Sequence, residues 1–309
     1  MHPFRFGVTA SRTPHGMSWT DLARRAESLG YATFVMPDHL GDQIAPIGGL
    51  AAAAAVTERL RLGAFVFAND YRHPLILARE MATLDVISGG RLELGLGAGW
   101  KTSDYRQLGL PYERAGARID RMLESLRIVK RLLAGERVTS AGPWYRLRDA
   151  RLEPKPVQAH VPVLIGGGGP RMLRIAAREA DIVGLLPQFD ARGRPIVSQG
   201  TERETARKVA IVREAAGSQA AFERLELNVL VGDAGLIGSH TSPVRSAVAV
   251  VKSAAPTLVG GSPYVLYGTL HRVRETLLRR RERLGISYYI WSSRLLDEMA
   301  PVVETLAGG

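Results

Sequence analysis

The sequence predicts an α/β protein built as a (β/α)8 TIM barrel with insertions. Strand-like and helix-like runs alternate through all 309 residues, and eight such units can be counted. The strand-like runs are short and apolar on both faces, which is typical of a parallel sheet covered by helices. Eight units in about 300 residues favour a closed barrel over a doubly wound sheet.

The units follow one another in chain order, each an apolar run followed by a run with one apolar stripe. The predicted strand and helix pairs are 4–10 with 19–29, 33–36 with 50–56, 62–67 with 75–86, 92–96 with 119–133, 163–165 with 172–177, 182–185 with 205–215, 225–231 with 269–284, and 287–291 with 299–306. No linker composition marks a boundary, so we expect a single domain over 1–309.

Two segments do not fit the repeat and are predicted to be insertions. Segment 136–160 carries Gly142 and Pro143 between two β-like pieces, which indicates a hairpin. Segment 233–263 is rich in Gly, Ser and Pro, which indicates a long loop or a lid.

The formal net charge of +11 raises the question of a polyanionic partner. The arginines are scattered along helices beside acidic residues, as in 24–27 and 203–207, and form no aromatic and basic stripe. This pattern is typical of a solvated helical surface, so we expect no nucleic-acid partner. The charge can still attract an anionic cofactor.

Several other classes are excluded by what the chain lacks. It has no cysteine, hence no disulfide and no thiolate metal site. The longest apolar run, 50–56, is too short to span a bilayer, and the first residues contain no signal-peptide core, so we expect a cytoplasmic protein. No metal is expected, because the histidines lack close ligand spacing; they are His2, His15, His39, His73, His160, His240 and His271.

The most informative stretch is an apolar run that ends in Gly166, Gly167, Gly168 and Gly169, with Pro170 opening a helix. Glycines let backbone N–H groups approach a ligand, and the first N–H groups of a helix are unpaired and lie at the positive end of its dipole. Proline fits the first helical turn. The pattern favours a phosphate site; a tight turn without a ligand is the alternative.

In a barrel, chemistry is placed where strands end, so the residues that follow each predicted strand are the ones to inspect. They are 9–11, 37–39, 67–69, 97–101, 166–169, 187–188, 232–233 and 292–293. Among them His39 is best suited to proton transfer near neutral pH, although a histidine merely hydrogen-bonded in its loop is the alternative. Asp38 can fix the tautomer of His39 or form a turn.

The run from Gly95 to Gly99 resembles a dinucleotide fingerprint only superficially, because its third glycine comes one residue early. We expect its glycines instead to let the backbone at Gly97 and Ala98 pass close to a flat ring. Trp100 then lies at the edge of the pocket or simply packs in the core.

The order of motifs resembles the bacterial luciferase-like monooxygenase superfamily, in particular the branch that uses the deazaflavin coenzyme F420. The matching pieces are 29–31 leading to 37–39, 60–63, 72–74, 88–100, 165–169, 176–181, 273–277 and 284–287. Their collinearity is more specific than any one motif. The least similar portion is 192–264.

The resemblance implies that a flavin or deazaflavin binds in the mouth of the barrel. Asp38 and His39 would then face the ring as the catalytic pair, with the histidine donating a hydrogen bond or a proton. The backbone at Phe65 and Val66 would form a cis peptide against the back of the ring. The cofactor phosphate would lie at the four glycines. A homodimer is implied as well.

The function implied is hydride transfer between C5 of coenzyme F420 and a small organic substrate, as reduction of a C=C or C=N bond or the reverse. The alternative is an FMN-dependent monooxygenase that takes reduced flavin from a separate reductase. A third class is a barrel that only binds a phosphorylated ligand. Some related dehydrogenases carry a carboxylate where this chain has Trp100 and a tryptophan where it has Gln43, so oxidation of sugar phosphates or simple alcohols is not carried over.

Overall fold

A computed structural model describes residues 1–14, 16–188, 196–238, 250 and 261–309. The strands are β1 Arg5–Thr9, β2 Thr33–Met36, β3 Arg61–Ala64, β4 Phe67–Ala68, β5 Leu92–Gly97, β6 Val138–Ala141, β7 Arg146–Ala150, β8 Val163–Gly167, β9 Ile182–Leu185, β10 Glu226–Leu230, β11 Asp233–Leu236, β12 Val265–Gly268 and β13 Ile286–Ser292. The α-helices of this part of the chain are α1 Trp19–Ser28, α2 Pro46–Ala54, α3 Pro74–Ser88, α4 Thr102–Leu108, α5 Ala115–Leu133, α6 Pro170–Glu179, α7 Glu202–Ala216, α8 Gln219–Glu223, α9 Leu270–Leu284 and α10 Leu296–Leu306.

Eight parallel strands close into a barrel in the order β1, β2, β3, β5, β8, β9, β10 and β13, with β13 paired back to β1. The predicted TIM-barrel fold is therefore confirmed. Alternate side chains of β13 show the two layers of the core. Tyr288 and Ile290 point into the barrel, whereas Tyr289 and Trp291 pack outward beside Phe6.

The run predicted as one strand over 62–67 is divided in the structure. Strand β3 ends at Ala64, the Phe65–Val66 peptide bond is cis as the resemblance implied, and β4 then pairs with β5. The helix predicted over 50–56 begins earlier, because Pro46 starts α2 and the helix continues through Gly48 and Gly49. Helix α4 was not predicted.

Strands β6 and β7 form an antiparallel hairpin within the segment 136–160. The second predicted insertion, 233–263, begins with β11, and β12 follows directly after it. Between these two strands, residues 239–249 and 251–260 lie outside the described residues. Strands β11 and β12 pair in parallel beside the barrel. That the whole chain is one domain stays a prediction.

The floor of the barrel, at the amino ends of the strands, is a buried ion-pair network. Arg5 donates to Glu93 (2.7 Å) and to Glu226 (2.6 and 2.9 Å), and Arg61 donates to the same Glu93 oxygen at 2.6 Å. The Arg5 guanidinium also lies 4.4 Å from the centre of the Tyr288 ring. Burial would raise the pKa of Glu93, but Arg5 and Arg61 outweigh burial and hold that pKa below its usual range.

No helix in the described ranges is both long and apolar enough to cross a bilayer.

Candidate active site

A cavity of about 1150 Å³ opens at the carboxyl ends of the barrel strands. Nearly all of the predicted site residues line it, namely Asp38, His39, Phe65, Val66, Gly97, Ala98, Trp100, Gly166, Gly167, Gly168 and Gly169. Pro170 is the exposed first residue of α6 and is not among the lining residues. The strand-end residues that also do not line the cavity are Ala10, Phe67, Asn69, Lys101, Gly232 and Asp233.

The four glycines run from the end of β8 to the N-cap of α6. A Cβ on Gly168 would lie 2.6 Å from the Leu186 carbonyl oxygen and 2.7 Å from that of Pro187, so only glycine fits there. The Gln188 side chain donates to the Gly168 carbonyl at 3.3 Å. The first N–H groups of α6 follow directly, and these have no partner inside the helix. The segment is therefore a backbone cradle suited to an anion.

The wall opposite Gly168 is held by a buried lysine. The Lys208 ammonium donates to the Leu186 carbonyl (2.9 Å) and to the Gln199 carbonyl (3.0 Å). Burial lowers the pKa of Lys208 to about 8. The lysine thus fixes the carbonyl against which the glycine packs and places a positive group behind the cradle.

A second basic residue lies in the cavity wall itself. Arg118, in the first turn of α5, is 7% exposed, stacks 4.0 Å from the centre of the Tyr112 ring and donates to the Glu113 carbonyl. Its Nε has no hydrogen-bond partner in the described part of the chain. Buried N–H groups are rarely left unpaired in proteins, so this atom is suited to an acceptor on a bound molecule.

Asp38 lies in the wall with both oxygens engaged. Arg72 donates to them at 2.6 and 2.9 Å, and the Ala68 N–H donates to the nearer oxygen at 3.0 Å. Asp38 therefore ties the end of β2 to β4, directly after the cis peptide. That Asp38 itself exchanges a proton stays a prediction.

His39 is held by a different carboxylate. Its Nδ1 lies 2.9 Å from Oδ2 of Asp104, a fully buried residue of α4. Trp100 packs edge to face on the imidazole, with ring centres 5.2 Å apart. Trp100 is 39% exposed, so it lies at the edge of the cavity and not in the core. The structure thus brings His39 together with Asp104 and Trp100.

Sequence reasoning missed three residues of this arrangement, Asp104, Arg118 and Lys208. Asp104 sits in a seven-residue helix that is too short to show an apolar period, although the glycine cap at Gly109 was a usable signal. Arg118 and Lys208 resemble solvated helical residues in sequence, because their burial depends on neighbours distant in the chain.

Within the described residues, no group of three or more His, Cys, Asp or Glu side chains is placed to hold a metal ion. His15 and His240 of the predicted histidine set lie outside those residues.

Comparison with known proteins finds a family model and several relatives that match this chain. The family model described as luciferase-like monooxygenase matches residues 1–224. The F420-dependent glucose-6-phosphate dehydrogenase of Microbacterium testaceum is 36% identical over 188 residues, which are 58% of this chain and 55% of that protein. This chain spans about half the length of the curated dehydrogenases of that description that it matches.

An uncharacterized protein of Mycobacterium tuberculosis is 32% identical over 200 residues, which are 57% of this chain and 70% of that protein. Among solved structures, the coenzyme F420 dependent tetrahydromethanopterin reductase of Methanopyrus kandleri superposes with a TM-score of 0.75. It is 19% identical and covers 99% of this chain and 100% of its own. At that identity the likeness supports the barrel fold alone.

Proposed function

This chain belongs to the luciferase-like monooxygenase family, and we propose that it is an oxidoreductase that binds coenzyme F420 and transfers hydride between the coenzyme and a small organic substrate. One observation carries the proposal: a glycine cradle for an anion and a histidine held by a buried carboxylate line the same cavity. Relatives described as F420-dependent support it.

The residues present fit a phosphorylated ring cofactor. At Gly168 the backbone packs against two carbonyl oxygens with no room for a Cβ, and the four glycines lead into the unpaired N–H groups of the α6 N-terminus. The Lys208 ammonium supplies positive charge behind Gly168, and Arg118, whose Nε is unpaired in the described part of the chain, supplies it from the wall of the same cavity. Gly97 would place a Cβ 2.5 Å from Val66, so the backbone there passes close to the Phe65–Val66 bulge and can lie against a flat ring.

The chain's own groups account for the proton that accompanies the hydride. When bound, the deazaflavin supplies or accepts hydride at C5. Reduction of a C=C or C=N bond leaves a basic atom that needs a proton, and His39 lines the cavity with one ring edge held by Asp104. In the reverse direction, when substrate is oxidised, the imidazole of His39 accepts the proton. Phe65, Val66 and Trp100 supply apolar surface to the cavity wall.

The sugar-phosphate substrate in the relatives' description is not proposed for this chain. Trp100 supplies an indole where some related dehydrogenases carry a carboxylate. Gln43 uses its amide to donate to the Pro37 carbonyl at 3.1 Å, so it supports the loop before His39. The substrate class is a compound with an activated C=C or C=N bond, or its reduced form.

Titration of the purified protein with coenzyme F420 and, separately, with FMN tests the proposal. We expect the fluorescence of the deazaflavin to be quenched with a micromolar or tighter dissociation constant and FMN to bind at least tenfold more weakly, which corresponds to about 1.4 kcal/mol. Tight binding of FMN without measurable deazaflavin binding would overturn it. Oxygen consumption with reduced FMN would then support the monooxygenase that the family description names.

The substitution Gly168→Ala tests the cradle. Because the new Cβ would press on two backbone carbonyls, either the Leu186–Pro187 wall or the glycine segment must shift, at a cost of about 1–3 kcal/mol. We expect deazaflavin affinity to fall roughly tenfold or more, measured by the same titration. Gly48→Ala in α2, where a Cβ meets nothing within 4 Å, is the control and should leave affinity unchanged. Unchanged affinity in Gly168→Ala would refute the phosphate assignment.

A homodimer and a cytoplasmic location remain predictions. Val86 and Ile87 at the end of α3 are exposed apolar side chains, as is Ile76 near its start, and these are positions that a second copy could cover. The proposed direct use of reduced coenzyme requires no dedicated reductase as a binding partner; the FMN alternative does.

A further inference from the structure

The Asp104 carboxylate is surrounded by polar groups although it is fully buried. Its Oδ2 lies 2.9 Å from His39 Nδ1 and accepts from the Tyr71 hydroxyl at 3.2 Å. Its Oδ1 lies 3.0 Å from the Lys101 ammonium and accepts from the Ser103 hydroxyl at 3.4 Å. A carboxylate has about four lone-pair sites; Lys101, Ser103 and Tyr71 take up three of them, and this fixes the orientation of the group with Oδ2 facing His39 Nδ1.

Each neighbour favours the ionised form of this carboxylate. Burial would raise the pKa of Asp104, but the Lys101 ammonium, which lies on Oδ1, and the neighbouring imidazole outweigh burial and hold that pKa below its usual range. Burial and the Asp104 charge raise the pKa of Tyr71, so its hydroxyl keeps its proton and donates. Asp104 is therefore an acceptor only.

An acceptor-only partner determines the state of the imidazole. If Asp104 carries no proton, Nδ1 of His39 must carry one to make the 2.9 Å contact. In the neutral ring Nε2 is then the unprotonated nitrogen. Nε2 has no hydrogen-bond partner within the described ranges, and His39 lines the cavity.

We propose that Asp104 is a positioning residue that keeps a proton on Nδ1 of His39, so that Nε2 is the atom that exchanges a proton with the substrate. The bare Nε2 of the neutral ring accepts the proton when substrate is oxidised, and the Nε2–H of the doubly protonated ring gives it up when substrate is reduced. Lys101 and Tyr71 hold the carboxylate in place, and Trp100 limits rotation of the ring by its edge-to-face contact. Asp38 does not take this role, because the carboxylate that contacts Nδ1 is that of Asp104, and the Asp38 oxygens accept from Arg72 and Ala68. The catalytic use of Nε2 rests on the proposed function; the tautomer does not.

The tautomer can be measured in the free protein, without cofactor or substrate. In protein labelled with 15N-histidine, His39 is assigned as the signal lost in His39→Gln, and its two ring nitrogens are distinguished at a pH where the ring is neutral. We expect Nδ1 to be protonated and Nε2 to be bare. A bare Nδ1 in the wild-type protein would overturn the proposal, and the variant serves only to assign the signal.

The substitution Asp104→Asn supplies the second measurement, because an amide can donate to Nδ1 as well as accept from it. We expect loss of the Nδ1–H preference and a fall in kcat of at least about tenfold with deazaflavin affinity little changed. Asp104→Glu should restore the tautomer in part. Asp42→Asn, which removes an 82% exposed carboxylate three residues from His39, is the control and should leave the tautomer as it is.

The two hypotheses fail in different ways. An Nδ1–H tautomer in a protein that binds no deazaflavin would refute the proposed function and leave the role of Asp104 standing. Deazaflavin binding and turnover in a protein whose tautomer is unaffected by Asp104→Asn would refute the role of Asp104 and leave the proposed function standing.

Discussion

His39→Gln is expected to lower kcat by a factor of about 10² to 10⁴, the range usual for loss of a positioned acid or base. Glutamine keeps a polar side chain in the cavity but cannot exchange a proton near neutral pH. Because the cradle and the Arg118 wall are untouched, we expect the deazaflavin dissociation constant to stay within about threefold, or 0.7 kcal/mol. The measurement is steady-state reduction of the first acceptor found in a panel of compounds with activated C=C and C=N bonds.

The matched control is His271→Gln. His271 is 78% exposed on α9, where it pairs with Glu275 on the same helix, and it does not line the cavity. This variant should keep wild-type turnover. If His39→Gln kept full turnover while binding the coenzyme, His39 would be a loop residue without a chemical role, and a barrel that only binds its ligand would gain support.

The fold could be predicted because its signals are local and repeated. Apolar runs such as 182–185 are buried in full, and this predicts a sheet covered on both sides. Boundaries were missed where tertiary packing overrides local preference. Helix α2 continues through Gly48 and Gly49 because packing of Leu50, Ala53 and Ala54 compensates for the low helix propensity of glycine.

Site residues could be predicted from the sequence only in two cases: where a run of glycines indicated a functional backbone segment, or where a residue directly followed a predicted strand. Four successive glycines and the position of His39 after β2 are visible in the sequence, and both lie in the cavity. The partner of His39 is not visible, because 65 residues separate it from Asp104 in the chain. The adjacent Asp38 was the natural choice from sequence, yet its carboxylate binds Arg72, 34 residues further on.

Glu93→Ala is expected to lower the free energy of unfolding by about 3–5 kcal/mol, as is typical when one partner of a buried ion pair is removed. Glu93 is 5% exposed and its Oε1 accepts from two guanidinium groups, so the substitution leaves Arg61 and part of Arg5 without their anion in the barrel floor. Urea denaturation followed by circular dichroism measures the change.

The same variant separates stability from function within one barrel. The Glu93 network lies at the amino ends of the strands, whereas the cradle and His39 lie at the carboxyl ends, so below the unfolding transition we expect deazaflavin affinity to be unchanged. Glu136→Ala, which removes a half-exposed partner of Arg131, should cost no more than about 1 kcal/mol. A loss below about 1 kcal/mol in Glu93→Ala would mean that the floor network is solvated and contributes little. A loss of affinity in the folded variant would mean that the two ends of the barrel are coupled.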